Sequence, residues 1–363
     1  MAFAPEPPHE HGRPAKVGVL VCNLGTPAEP TAGAVRRYLA EFLADPRVVE
    51  IPRLLWWPIL HGVILRVRPA KSAAKYATIW TPEGSPLAVW TVNQARRLQG
   101  SLGERGASAV VVREAMRYGE PSIAAGLDAL KAAGCRRVLV LPMYPQYSGT
   151  TTGSVIDAVA AWARTVRHVP ELRIVNRYHD EPGYIEALAR RVLEHWQRDG
   201  RAEHLVMSFH GVPQRTLDLG DPYHCECHKT ARLLAQRLGL DKAHYSVTFQ
   251  SRFGRAKWVE PATDASLRAL AQRGVKHVQV LCPGFTADCL ETLEEIALEN
   301  REVFLHAGGT AYDYIPCLND HPAWIQALVG IATTHMQGWP LALPDPAELQ
   351  AQQQRAVSLG AAR

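Results

Sequence analysis

The chain repeats itself, and this constrains its fold more than any other feature. Gly18-Val19-Leu20-Val21-Cys22-Asn23-Leu24-Gly25-Thr26-Pro27 is echoed by His204-Leu205-Val206-Met207-Ser208-Phe209-His210-Gly211-Val212-Pro213. Each is an apolar run that breaks into a residue-Gly-X-Pro turn. The echo continues: Arg117-Tyr118-Gly119, a Glu-Pro, a helical run and Arg137-Val138-Leu139-Val140-Leu141 are matched by Arg252-Phe253-Gly254, a Glu-Pro, a helical run and His277-Val278-Gln279-Val280-Leu281. A duplicated βα unit predicts two similar lobes that face a cleft. The copies differ where it matters: the first has Leu24 and the second His210, so the lobes share a scaffold but not a task.

Apolar runs alternate with helical ones throughout. Strands are expected at 17–22, 109–115, 138–141 and 172–175, then at 205–209, 245–249 and 275–281. Helices are expected at 31–42, 121–133, 182–198, 229–239, 263–273 and 288–300. This rhythm predicts α/β architecture, with a parallel sheet flanked by helices in each lobe. The first lobe is placed at 16–180 and the second at 181–320. A helix over 321–340 is expected to pack back. Residues 1–15 read as a loose tail, and 341–363 as a weak helix or a frayed end.

With 363 residues there is room for two cores. A net charge of +5, spread along the chain, forms no nucleic-acid stripe. Seven cysteines at irregular spacing suit a reducing cytoplasm better than a disulfide framework. The Pro-rich start carries no signal-peptide core. No run reaches the roughly 18 apolar residues of a membrane span.

Ligands of open parallel sheets sit beyond the carboxyl ends of the strands. His210 lies at such an end. The strand that closes at Leu281 leads through Cys282-Pro283-Gly284-Phe285 into a helix carrying Asp288, Glu291, Glu295 and Glu299. Spacing of i, i+4, i+8 stacks the last three on one α-helical face, where a cation would relieve their repulsion. Imidazole with carboxylate suits divalent iron or zinc. Bland readings compete: Asp288 and Glu291 as a capping box, the acidic face as solvated, His210 as structural. The loop Tyr144-Pro145-Gln146-Tyr147-Ser148-Gly149-Thr150-Thr151-Thr152-Gly153-Ser154 suits a flat aromatic ligand through its tyrosines. Its hydroxyls could instead cradle an anion or cap a helix. An apolar lip at about 52–70 carries Trp56 and Trp57, followed by Arg66, Arg68 and Lys71. It reads as a surface resting on a membrane through residues 54–65, or as a core helix. His224-Cys225-Glu226-Cys227-His228 has the wrong spacing for a zinc site and reads better as a helix entry.

Taken together, these segments resemble the ferrochelatase family, the enzymes that insert Fe(II) into a porphyrin. The resemblance runs from about Val17 to Trp324. It rests on Asn23-Leu24-Gly25-Thr26-Pro27, the tyrosine loop, Ser208-Phe209-His210-Gly211-Val212-Pro213, Phe249-Gln250-Ser251-Arg252 with Trp258, and Glu291-Thr292-Leu293 with Glu295. It implies two Rossmann-like lobes of the chelatase type around a porphyrin cleft. It implies His210 as the active-site histidine and Glu291 as its partner, the two together handling protons and metal. Leu24, Arg117, Tyr118, Tyr144, Trp258 and Phe285 would line the cleft, and Glu295 and Glu299 would form a metal or proton path. Fe(II) would be substrate, with no permanently bound cofactor. Animal-type members hold a [2Fe–2S] cluster through the tyrosine loop; here Gly149 stands at that position and no cysteine follows Cys317, so no cluster of that type is expected. The implied activity is protohaem formation from protoporphyrin IX, in the cytoplasm with at most peripheral membrane contact. The rival readings are a chelatase for coproporphyrin III or sirohydrochlorin, a non-catalytic haem- or metal-binding protein, and a phosphate-binding α/β enzyme.

Overall fold

The computed structural model describes residues 3, 5–8, 10–254 and 256–361. Parts of both expected tails, residues 1, 2, 4, 9, 362 and 363, lie outside these. Two four-stranded parallel sheets form the frame. The first has β1 (Lys16–Gly25), β2 (Val110–Tyr118), β3 (Cys135–Pro142) and β4 (Glu171–Ile174) in the order β2-β1-β3-β4. The second has β5 (His204–His210), β6 (Tyr245–Gln250), β7 (His277–Leu281) and β8 (Ala311–Ile315) in the order β6-β5-β7-β8. The orders correspond strand for strand, so the sequence echo is a topological one. Both echoed Glu–Pro bonds, Glu120–Pro121 and Glu260–Pro261, are cis.

The central strands are apolar on both faces because both faces are covered. In β1, Val17, Val19 and Val21 join a core that continues through Leu139 and Leu141 to Leu188, Phe209, Leu281 and Trp324 of the second half. Leu20 and Cys22 point the other way, toward Leu127, Val155 and Trp162. The second sheet repeats the pattern, with Val206, Val278 and Val280 on Leu267, Ile296 and Phe304. One core therefore runs beneath both sheets, and each sheet keeps a separate outer one.

The matched glycines have a shared steric cause. Gly25 has φ +107°, and a Cβ there would lie 1.8 Å from the carbonyl oxygen of Tyr118 on β2. A Cβ on Gly211 would lie 2.6 Å from the carbonyl oxygen of Gln250 on β6. In each lobe the chain leaves its central strand by crossing the end of the neighbouring one, and only glycine fits.

Several elements depart from expectation. The lip forms helix Arg53–Ile59, a π-helical turn at Leu60–Ile64 and helix Leu65–Ile79. The expected helix at 288–300 is a π-helix at Glu291–Glu299 that continues as helix Asn300–His306. Edge strand β8 and helices Pro86–Glu104 and Ser154–Ala163 were not anticipated. Helix Pro322–His335 packs back on the body. Near the chain's end, helix Pro346–Ser358 forms. In the amino-terminal segment Glu6 pairs with Lys131 at 2.6 Å and accepts the amides of Arg167 and His168.

Candidate active site

Each sheet reverses its winding beside its central strand, and such switch points open crevices at the carboxyl ends of the strands. In the first lobe that crevice lies between β1 and β3, where Leu24 meets the tyrosine loop. In the second it lies between β5 and β7, where His210 meets the Phe285 loop. The two crevices merge into one cleft of about 1210 Å³, part of it open to solvent. Leu24, Tyr144, His210, Trp258, Phe285 and Glu291 all line it. His210 and Glu291 thus share a compartment, opposite a largely apolar wall. Leu24 and Phe285 each pack on a small cluster of Leu87, Ala287 and Cys289.

His210 is oriented by its own neighbour. Nδ1 lies 2.7 Å from the carbonyl oxygen of Gly211. A carbonyl only accepts, so Nδ1 carries the proton and Nε2 is left as an acceptor. The imidazole stands 6.3 Å from the Phe285 ring, centroid to centroid. Trp258 lies beneath the same turn: its indole carbon Cε3 would touch a Cβ on Gly211 at 3.2 Å, and its Nε1 donates to the Phe253 carbonyl at 2.9 Å.

Glu291 opens the π-helix. A chain of bonds sets its start: Ser208 Oγ on β5 donates to Gln250 Oε1 at 2.7 Å, and Gln250 Nε2 donates to the Glu291 carbonyl at 2.9 Å. Asp288 does not form the capping box of the competing reading. Its carboxylate accepts from Thr292 Oγ1, Tyr314 OH and Asn319 Nδ2. The Glu291 side chain is therefore not used as a cap and faces the cleft. Glu295 accepts the Ser251 amide at 2.7 Å and the Ser251 hydroxyl. Burial pushes the Glu295 carboxyl above the ordinary glutamate range and nearby Glu291 adds to this, while the Ser251 bonds and His210 oppose it.

Farther from the cleft, the acidic row ends in an ion pair. The row runs along a π-helix, where the expectation was an α-helix. Lys75, from the lip, binds Glu294 and Glu299 at 2.9 and 2.6 Å. Glu299 is half exposed in this ion pair.

Arg117 and Tyr118 also depart from expectation: neither lines the cleft. Asp45, where helix Ala32–Ala44 ends, draws both aside. Its Oδ2 accepts from Arg117 Nη2 at 2.7 Å, Tyr118 OH at 2.8 Å and Ser154 Oγ at 2.5 Å. Burial alone would raise the Asp45 carboxyl, but these bonds, the Arg47 amide and the Arg117 charge hold it below the usual range. The two residues brace the wall from behind.

The two serine hydroxyls of the loop are committed to carboxylates, which weakens the anion-cradle reading. Ser154 binds Asp45, and Ser148 Oγ donates to Asp221 at 3.1 Å. The Tyr144 hydroxyl, by contrast, is buried in the cleft with no hydrogen-bond partner among the described residues. Buried polar groups are seldom left so.

His224-Cys225-Glu226-Cys227-His228 lies within helix Tyr223–Arg237. Its imidazoles stack with each other and on Phe249, Cys227 is buried and Cys225 is exposed. Among the described residues no group of three or more His, Cys, Asp or Glu is arranged to hold a metal ion.

Of the cleft residues that the sequence reading does not name, three surround Glu291. Tyr38 and Tyr76 face Glu291 from the first lobe, and Cys289 lies beside it. The apolar faces of helices Ala32–Ala44 and Leu65–Ile79 contain both tyrosines, but helical periodicity does not separate a core face from a cleft face.

Residues 16–336 match the family model Ferrochelatase. A ferrochelatase of Methylibium petroleiphilum is 67% identical over 362 residues, covering 99% of both chains. One from a Polaromonas species is 63% identical over the full length of both. Among solved structures, the cobalt complex of the sirohydrochlorin chelatase SirB from Bacillus subtilis subspecies spizizenii superposes with a TM-score of 0.51 at 12% identity, over 89% of this chain and 97% of that one. That likeness concerns the two-lobed fold. Family model and full-length identity agree with the geometry of the cleft, and the chain belongs to the ferrochelatase family.

Proposed function

We propose that this protein inserts Fe(II) into protoporphyrin IX to give protohaem. The observation that carries the reading is that His210 and Glu291 line one cleft whose remaining walls are largely apolar and aromatic. A flat macrocycle fits such a gap, with Leu24 on one face and the imidazole on the other.

Insertion replaces two pyrrole N–H protons by one Fe(II), so two protons must leave. A planar ring keeps its nitrogen lone pairs in plane. Walls that hold it saddled turn those lone pairs toward the metal, using binding energy to impose strain. His210 Nε2 accepts a pyrrole proton, since Nδ1 is already protonated against Gly211. Glu291 offers an anionic oxygen to the incoming ion, a donor suited to Fe(II). Glu295, bound to Ser251, takes the second proton toward a separate solvent-facing hollow lined by Ser251 and Glu295. His210, Glu291 and Glu295 are the catalytic set in this reading, with Glu299 outside it.

The lip favours a hydrophobic tetrapyrrole. Leu54 is 91% and Trp57 48% exposed, while Trp56 is tied inward by Nε1 to the Leu43 carbonyl at 2.7 Å. Arg68 sits over Phe253 at 5.4 Å, a cation at the cleft edge for substrate carboxylates. No helix among the described residues is long and apolar enough to cross a membrane. We read the lip as a peripheral contact at the cytoplasmic surface of a bilayer.

The test follows metalloporphyrin absorbance with Fe(II) and each of three tetrapyrroles. The expected order is protoporphyrin IX fastest, then coproporphyrin III, with sirohydrochlorin slowest. A faster rate on either carboxylate-rich substrate would overturn the substrate assignment, and no metalloporphyrin at all would overturn the reaction.

A further inference from the structure

The centre of the His224–His228 motif is a residue that metal insertion does not use. Glu226 is 4% exposed, yet its carboxylate points out of its own lobe. Oε2 accepts the Tyr147 amide at 2.7 Å, and His179 Nδ1 stands 3.3 Å away. Oε1 accepts from Arg177, whose guanidinium also lies over the Tyr147 ring at 5.5 Å. Just before the same helix, Asp221 Oδ2 accepts the Gly149 amide at 2.7 Å and the Ser148 hydroxyl at 3.1 Å. Its Oδ1 is fixed by the Tyr223 amide at 2.9 Å. Farther along, Thr230 Oγ1 accepts from Gln146 Nε2 at 2.9 Å.

Four consecutive residues of the first lobe, Gln146 to Gly149, are therefore held by one stretch of the second. Tyr144 and Gln146 on one side of these bonds, and Thr150 and Thr151 on the other, line the cleft. Hydrogen bonds to ionised acceptors are roughly twice as strong as neutral ones. A backbone amide held by a buried carboxylate also has little freedom to shift.

We propose that Asp221 and Glu226 are positioning residues that set tetrapyrrole affinity by fixing the opposite lobe's wall. This rests on the metal-insertion reading above. Neither residue lines the cleft, so they act through Tyr147 and Gly149 and not by touching substrate. The motif is then an inter-lobe clasp, its imidazoles packed on Phe249 so that the helix presents Glu226 outward.

The experiment compares full-length wild type with Glu226→Ala, Glu226→Gln and Asp221→Asn. It measures steady-state insertion with porphyrin and Fe(II) varied separately, porphyrin binding by fluorescence quenching, and amide exchange over residues 144–151. For Glu226→Ala the porphyrin KM should rise about tenfold, the scale of a lost charge-assisted bond. The kcat and the KM for Fe(II) should stay within about twofold, the signature of lost substrate binding. Amides around Tyr147 should exchange faster. Glu226→Gln keeps an oxygen for the Tyr147 amide and should recover part of the affinity. Equal changes in kcat and both KM values, or an unaltered porphyrin KM, would overturn the proposal. If Glu226→Ala does not fold, Asp221→Asn and Glu226→Gln carry the same test, with a raised porphyrin KM expected and an unchanged one overturning it. Should wild type form no metalloporphyrin, the insertion reading fails, while quenching and exchange still decide the clasp.

Discussion

His210 illustrates how a reactive atom is made by a mundane neighbour. The Gly211 carbonyl accepts a hydrogen bond from Nδ1–H, and the steric demand that makes residue 211 glycine also brings the turn against Trp258. Replacing His210 with Ala should leave porphyrin quenching intact while reducing insertion at least about a hundredfold, the lower range for a lost general base; near-normal turnover would refute its role. His210, Leu24 and Glu291 are legible in the sequence because they sit at the carboxyl ends of strands or open a helix, positions that the topology sends to the cleft. Arg117 and Tyr118 are not. Their side chains are captured by Asp45, more than 70 positions earlier. Nothing in local spacing signals a buried carboxylate from another element.

At the scale of elements, strands read well and unusual helices poorly. Continuous valines and leucines left little choice for β1, β3 and β5, whereas β8, Ala-Tyr-Asp-Tyr-Ile, is a half-polar edge strand with no such signature. Residue types alone do not distinguish i+4 from i+5 winding, so the π-helix at Glu291–Glu299 has no signature that sets it apart from an α-helix. The lip, by contrast, declared its composition, and the structure shows which residues are outermost. Substituting Leu54 and Trp57 together by Ser should weaken co-flotation with anionic vesicles by about tenfold or more, given the transfer free energy of two such side chains. Insertion from detergent-solubilised porphyrin should persist. Unchanged flotation would remove the membrane reading and leave the ridge without a lipid role.

Across the whole molecule, the repeat proved to be the most reliable guide, since the two strand orders match throughout. What it did not convey is how far the halves depend on each other. Trp324 has no exposure and packs on Tyr178 of the first half and Tyr184 of the second. Gln94 donates to the carbonyls of Thr286 and Asn319 from the opposite side of the repeat. Replacing Trp324 with Ala should cost about 3–5 kcal/mol. It should lower the midpoint of a single thermal transition seen alike by far-ultraviolet dichroism and tryptophan fluorescence; two separated transitions would contradict a shared core. The continuity of that core also bears on ancestry. A gene encoding only one copy of the unit would have produced a molecule with a bare oily flank, insoluble alone. It would have needed a twin pressed against that flank, so joining the twins in one reading frame preserved a contact that folding already required, and freed one copy to trade its histidine for leucine, or the reverse.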